Sequence, residues 1–302
     1  MVKVTVLGSI NVDRILQIPR LPLPGETLAM GGQSSAGGGK GANQAIAAVR
    51  MGAKTNFIGK VGREGAADFM LDTFKKDGMN IEHVTYSETA GTGQAYIMVD
   101  EHGQNSILIY GGANQAITGE DIQSAKDAIK TADRLVAQFE VPIPVIIEAF
   151  KIARENGVQT ILNPAPAIKD IPTELLAVTD MIIPNETEAE IITGIKVTDE
   201  ASMKANAEAM FKLGIKVVII TVGDKGSFYA TADKDGFIPA FKVQAVDTTA
   251  AGDTFIGALS TKLSLDYSNL EEAMTFANRA SSITVQTQGA QNSIPYEKDI
   301  HL

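Results

Sequence analysis

Residues 247–255, Asp-Thr-Thr-Ala-Ala-Gly-Asp-Thr-Phe, set two carboxylates among small side chains and run straight into the apolar stretch 255–259. The first turn of a helix carries unpaired amide N–H groups and a partial positive charge. Small residues there, Ala250, Ala251 and Gly252, let an anion reach those amides. Thr249 stands near the cap, and Asp253 lies in the same positive field. Ordinary capping also puts Thr before a first turn and Asp inside it. The Ala-Gly pair before Asp253 weakens a helix start unless something must approach, which favours the anion reading. The chemistry on offer is a carboxylate base beside an anion hole.

Three further clusters could serve that chemistry. "GGGKGANQA", 37–45, is a glycine loop opening a helix, with Lys40 and Asn43 near its start. It contains a loose dinucleotide fingerprint, but no apolar strand precedes it, and Lys40 is followed by Gly41 rather than the Ser or Thr of a P-loop. Close backbone approach at the loop's glycines, with Lys40 and Asn43 as donors, suits a neutral polyol. In "GSINVD", 8–13, Asn11 and Asp13 emerge at the end of the first strand, where parallel sheets bind ligands, or they form a polar turn. Glu140 ends "LVAQF" as a ligand group or a solvated strand end. In "NETEAE", 185–190, Asn185 and Glu188 lie three apart and face one way. That geometry suits a hydrated Mg²⁺ and equally a helix capping box. His83, His102 and His301 have neither triad nor metal-ligand spacing.

The elements that must position these groups alternate. Strands are expected at 2–10, 55–62, 134–140, 159–165, 180–185 and 216–223. Helices are expected at 40–52, 64–78, 119–130, 144–156, 187–193, 199–213, 250–264 and 269–286. Near-continuous apolar strands between helices mean a mostly parallel sheet covered on both faces, a three-layer α/β/α domain. Residues 14–39 and 93–111 break the rhythm and form a small extra sheet, the hairpin turning at 101–104. Its strands "AYIMV" and "SILIY" are apolar at both parities, so one face could cover a ligand and the other a second subunit, or the hairpin could simply pack on the main domain. The main domain then comprises 1–13, 40–92 and 112–302.

Composition bounds the partners. The chain has 302 residues, is 44% hydrophobic and carries a formal net charge of −10. That charge argues against nucleic acid and anionic membrane as partners, while a few lysines and amides can still hold a small anion. There is no cysteine, so disulfides and thiolate metal sites are excluded. Neither a signal peptide nor an apolar run of roughly 18 residues is found. A soluble, cytoplasmic protein is expected.

The stretches 37–62 and 247–259 resemble the two signatures of the ribokinase family of carbohydrate kinases, the phosphofructokinase-B type. "GSINVD", "NPAP" (163–166), "NETEAE", "TVGDKGSF" (221–228) and "TQGAQNSIP" (287–295) are similar to that family at matching intervals, so the resemblance covers essentially the whole chain. It implies a β-sheet lid, often shared in a homodimer, and ATP, Mg²⁺ and activation by a monovalent cation, usually K⁺. It implies phosphorylation of the primary 5-hydroxyl of D-ribose, or alternatively of 2-deoxyribose, another furanose or a nucleoside. By the same resemblance, Asn11, Asp13, Gly39, Lys40, Asn43 and Glu140 hold the sugar, with Asp253 as base. Ala250, Ala251 and Gly252 form the anion hole. Asn185 and Glu188 serve Mg²⁺ and phosphate, and Thr221, Gly223 and Asn278 the nucleotide. Asp247 and Ser293 are side-chain cation ligands, while Thr249, Thr284, Thr287 and Gly289 give backbone carbonyls. The rival classes are an oxidoreductase on a dinucleotide-binding sheet and a catalytically silent sugar sensor.

Overall fold

Strands that are apolar at both parities need cover on both faces, and the chain supplies it in three layers. The structure, a computed structural model, describes all 302 residues. In chain order the strands are β1 (Lys3–Leu7), β2 (Asn11–Gln17), β3 (Gly32–Gly38), β4 (Lys54–Gly62), β5 (Asn80–Ser87), β6 (Gly93–Val99) and β7 (Asn105–Tyr110). They continue as β8 (Arg134–Gln138), β9 (Gln159–Asn163), β10 (Met181–Ile182), β11 (Val217–Val222), β12 (Gly226–Ala230) and β13 (Asp235–Pro239). Nine form one sheet in the order β13-β12-β11-β10-β9-β8-β1-β4-β5. It is parallel from β5 to β11, and β12 and β13 add an antiparallel edge. The winding direction reverses between β1 and β8, the switch point outside which open sheets hold ligands.

Alternate strand residues feed two cores. Val4, Val6 and Ile219 pack against helices α1 (Lys40–Arg50), α2 (Asp68–Lys76), α9 (Ala251–Lys262) and α10 (Leu270–Thr284). Leu7, Ile220 and Val222 pack on the opposite face. There lie α3 (Gly119–Ser124), α4 (Lys126–Lys130), α5 (Ile143–Glu155), α6 (Thr173–Leu176), α7 (Glu186–Thr193) and α8 (Glu200–Lys212). No helix is long and apolar enough to cross a membrane.

The other four strands make a separate sheet, β3-β2-β6-β7, with β2 and β6 parallel and the outer pairs antiparallel. Register places Asp13 beside Ala36 and Ala95, and Ile15 beside Ser34 and Ile97, on one face. This corrects one expectation. The first strand stops at Leu7, and Asn11 and Asp13 belong to β2 of the small sheet. The edge strands β5 and β13, and β12 beside β13, were not foreseen: β5 reads NIEHVTYS, too polar to announce a buried strand.

Candidate active site

Helix α1 starts where the chain leaves the small sheet. Its cap, Gly39, has φ 93°, and a Cβ there would lie 2.8 Å from the Asn11 nitrogen and 2.9 Å from the Ser9 oxygen. Only glycine fits this approach. Ala42 N–H donates to Ser9 O at 2.9 Å, and Gly41 N–H to Ser9 Oγ at 3.3 Å. Glu140 Oε2 accepts the Lys40 N–H at 3.0 Å and the Ser9 hydroxyl, so a carboxylate closes the positive end of α1. One oxygen of Glu140 is therefore spent on holding the loop.

Helix α9 crosses α1 at Gly257, where a Cβ would stand 2.4 Å from Ala47 Cβ and 2.5 Å from Gln44 O. The missing side chain lets the helices touch and brings Asp253, one turn earlier, against the first turn of α1. Asp253 Oδ2 accepts from Asn43 Nδ2 at 3.0 Å, and Oδ1 from Gln44 Nε2 at 2.9 Å. Asp253 is 9% exposed. It opens on a cavity of about 200 Å³ shared with Lys40, Asn185, Glu188, Thr221 and residues 250–252.

The mouth of α9 departs from expectation in two ways. Its cap is Ala250, next to Thr249 and in the left-handed region at φ 62°. Thr249 donates to Asp247 Oδ1 through its N–H (2.9 Å) and its hydroxyl (2.6 Å). The Ala251 N–H is taken by Thr248 O at 3.2 Å. Ala251 thus drops out of the expected hole, and the free amides are those of Ala250, Gly252 and Asp253, which meet no acceptor in the protein.

Charge converges on this cavity. Burial alone would depress the Lys40 ammonium, but Asp253, Glu140 and Glu188 together hold it above its ordinary range. Burial pushes the Glu188 carboxyl up; the Asn185 N–H and Lys40 oppose this and Asp253 adds to it. Asn185 and Glu188 form the expected capping box, with Glu188 N–H donating to Asn185 Oδ1 (2.8 Å) and Asn185 N–H to Glu188 Oε2 (2.9 Å). Glu188 keeps its second oxygen for the cavity. No group of three or more His, Cys, Asp or Glu residues is placed to hold a metal ion.

A larger cleft of about 600 Å³ adjoins, with Thr248 common to both walls. The small sheet lines it with Asp13, Ile15 and Ile97, and the loops opposite with Asp247 and Gly289. Burial first, and Glu140 second, push the Asp13 carboxyl up to about 7. Asn11 Oδ1 accepts from Asn114 Nδ2 at 2.8 Å. Asp247 Oδ2 accepts the Gly289 N–H at 2.8 Å. Burial would raise the Asp247 carboxyl, but bonds from Thr249 and Gly289 outweigh it and hold it below the usual range. Thr284 Oγ1 lies 3.0 Å from Thr254 Oγ1, its carbonyl accepts the Thr287 N–H, and Ser293 Oγ donates to Ala290 O. Loop 284–293 is thereby fixed beside Asp247.

Of the expected residues, Asn11, Gly39, Asn43, Glu140, Gly223, Asn278, Thr284, Thr287 and Ser293 line neither cavity. Gly223 opens the turn after β11 with φ 47°. Asn278 donates to Ile238 O at 3.1 Å and accepts from Ser227 at 3.2 Å, tying α10 to the antiparallel edge. Sequence reasoning missed Ser9, Gln44, Asn114, Gln138 and Asn163, each hydrogen-bonded to a residue it did name or to another of this group. For Gln138 a signal existed, since it ends a strand, RLVAQ, that is buried throughout, where an amide needs a partner.

A buried carboxylate, free helix-start amides and a lysine at the carboxyl edge of a doubly wound sheet, next to a sheet-roofed cleft, define an enzyme that moves an anionic group. The profile of the pfkB family carbohydrate kinase matches residues 1–297, and the chain belongs to that family. It is 58% identical over 301 residues to a bifunctional ribokinase/ribose-5-phosphate isomerase A of Fructilactobacillus sanfranciscensis; the match covers 99% of this chain and 56% of that protein. It is 54% identical over 300 residues to a ribokinase of Staphylococcus aureus, covering 99% and 98%. The structure of Arabidopsis thaliana ribokinase complexed with ribose and ATP superposes with a TM-score of 0.92 at 32% identity, covering 99% and 98%.

Proposed function

We propose that the chain transfers the γ-phosphoryl group of ATP to the primary 5-hydroxyl of D-ribose. The observation that carries this reading is the Asp253 carboxylate, pinned through both oxygens by Asn43 and Gln44, with three unpartnered amides beside it. Asp253 accepts the hydroxyl proton as that oxygen attacks the γ-phosphorus. Phosphoryl transfer has a loose transition state, so placement and charge matter more than base strength. The amides of Ala250, Gly252 and Asp253 meet the negative charge that develops on the transferred group. Lys40, charged and close to Asp253 and Glu188, adds to them. Asn11, Asp13, Gly39, Asn43 and Glu140 hold the sugar hydroxyls, and the small sheet acts as a lid that keeps water from competing. Thr221 and Gly223, with Asn278 behind them, form the nucleotide side.

Mg²⁺ fits the free oxygen of Glu188, because the ion uses few carboxylates beside substrate phosphates and keeps its waters. It would neutralise phosphate charge. A K⁺ ion fits the region of Asp247, where the carbonyls of Thr249, Thr287 and Gly289 accept no N–H and offer hard oxygens. Thr284 and Ser293 border it. The apolar residues exposed on the small sheet, Ile107, Leu108 and Ile109, support a homodimer through the lid. A cysteine-free chain with no candidate membrane helix suits the cytoplasm.

The deciding experiment is sugar-dependent ADP release with ribose and 2-deoxyribose, each with and without K⁺. Faster release with ribose, raised by K⁺, is expected. A preference for 2-deoxyribose reassigns the substrate, and release independent of any sugar sinks the reading.

A further inference from the structure

Behind Asp253 runs a chain of buried amides, of which the mechanism above names only the Gln44 contact. Gln44 and Gln138 are 1% and 0% exposed, and neither lines the cavity. Gln44 Nε2 donates to Asp253 Oδ1 at 2.9 Å and to Asn163 Oδ1 at 3.1 Å. Gln44 Oε1 accepts from Gln138 Nε2 at 2.6 Å. Asn163 Nδ2 is committed to Ile183 O at 3.0 Å. From Gln138 through Gln44, one line of N–H groups therefore runs toward the carboxylate, and the second Gln44 N–H goes to Asn163.

The direction of this chain is fixed by its acceptors, the Asp253 carboxylate and the Asn163 oxygen, whose own amide is anchored on Ile183 O. Reversing the Gln44 amide would set its oxygen against the Asp253 carboxylate and face its nitrogen with the Gln138 nitrogen. Gln138 meets the oxygen that this orientation of Gln44 leaves over. It does so while its own Oε1, buried, meets no donor in the protein. That oxygen sits where a Cβ on Gly8 would come within 2.4 Å, so the main chain makes room for it. A buried carbonyl without a donor is penalised, and an apolar side chain of the same shape would avoid the penalty. A glutamine at this position is accounted for by what its N–H does to Gln44. Amides neither take up nor release protons near neutral pH, so the chain holds the carboxylate without relaying its proton.

We infer that Gln44, backed by the donor Gln138 Nε2, is a positioning residue for Asp253. It fixes the plane of the carboxylate so that the cavity-side lone pairs meet the incoming hydroxyl. The inference rests on the reading of Asp253 as the base, and the experiment separates the two. Gln44→Met and Gln138→Met are made singly and in an Asp253→Asn background, with turnover read by ADP release and sugar affinity by calorimetry. Gln44→Met is expected to lose about 10²-fold in kcat and Gln138→Met about tenfold, the scale of a misplaced reacting group. Sugar Kd stays unchanged. In the Asp253→Asn background neither change costs anything further, because residues acting through one group are not additive. Unchanged kcat in both single variants, or the same fold-loss in the Asp253→Asn background, overturns the positioning role while leaving the base in place. Wild-type turnover in Asp253→Asn alone removes the base, and this inference with it. Should Gln44→Met fail to fold, Gln138→Met, one residue further from the carboxylate, carries the same comparison.

Discussion

Asp253 is 9% exposed and is gripped through both carboxylate oxygens, whereas Leu108 in the small sheet is 63% exposed and nothing in the chain covers it. The two regions face each other across the cleft yet are built differently. The lower wall joins two helix starts and the strand ends at the switch point, and its polar groups are aimed before any ligand arrives. The upper sheet is held mainly by its strand ladders and leaves apolar residues on both faces: Ile107 and Ile109 with Ile97 on one, Leu108 with Tyr96 on the other. Preorganisation in the wall bears on the chemical step. Uncovered apolar surface in the sheet bears on what closes over the sugar and on association between chains.

The largest effect should come from the wall. Asp253→Asn keeps the shape of the side chain but removes the proton acceptor, and turnover is expected to fall by about 10²–10⁴-fold. Melting temperature and sugar affinity should stay near wild type. Normal turnover in this variant would dissolve the distinction between the regions, since the wall would then hold no base.

The sheet is tested next. Ile107→Asp combined with Leu108→Asp charges both faces of β7, and sedimentation should show the mass of the assembly halved. Exposed sites of this kind change folding stability by about 0.5 kcal/mol or less, so the chain should remain folded. A wild-type chain that already sediments as a monomer would remove association from the sheet's role.

Much of the contrast was legible from the sequence. Gly, Ala and Asp in one first turn marked the mouth of α9, and apolar residues at both parities marked the hairpin. What stayed hidden depends on tertiary crossings. Gln44 reads as one more helix residue, and only the contact at Gly257 turns it toward Asp253. Asn11 and Asp13 were assigned to the end of the first strand because no local signal shows the chain stepping from one sheet to another between Leu7 and Asn11. The left-handed cap at Ala250 was unreadable because a side chain with a Cβ disfavours positive φ.

A pH experiment joins the two regions, because Asp13 hangs from the sheet while Glu140 belongs to the wall. Burial and Glu140 carry the Asp13 carboxyl from its ordinary 3.8 to about 7. Between those values the folded chain keeps a proton that the unfolded chain has released. Stability from this group is therefore lost as pH rises through the window and is level above about 7. Asp13→Asn should flatten that slope in urea unfolding. Above about 7 the ionised carboxylate accepts more hydrogen bonds, so sugar KM in the wild type should fall there while kcat does not inflect. A slope that persists in Asp13→Asn would assign it to another group.

The smallest effect concerns strain in the wall. Ala250 sits at φ 62°, a conformation that costs a residue with a Cβ about 1–2 kcal/mol. Glycine relieves this but loses more chain entropy on folding, about 0.5–1 kcal/mol. Ala250→Gly should therefore raise the melting temperature slightly, by about 1–2 °C for a chain of this size. It should also lower kcat a few-fold, because the alanine restricts the turn that presents the free amides of Gly252 and Asp253, and glycine lets that turn wander. The opposite signs of the two changes are the test. A variant that is more stable and equally active would mean that the strained cap is incidental to the amides it presents, and that the wall is preorganised by the α1–α9 crossing alone.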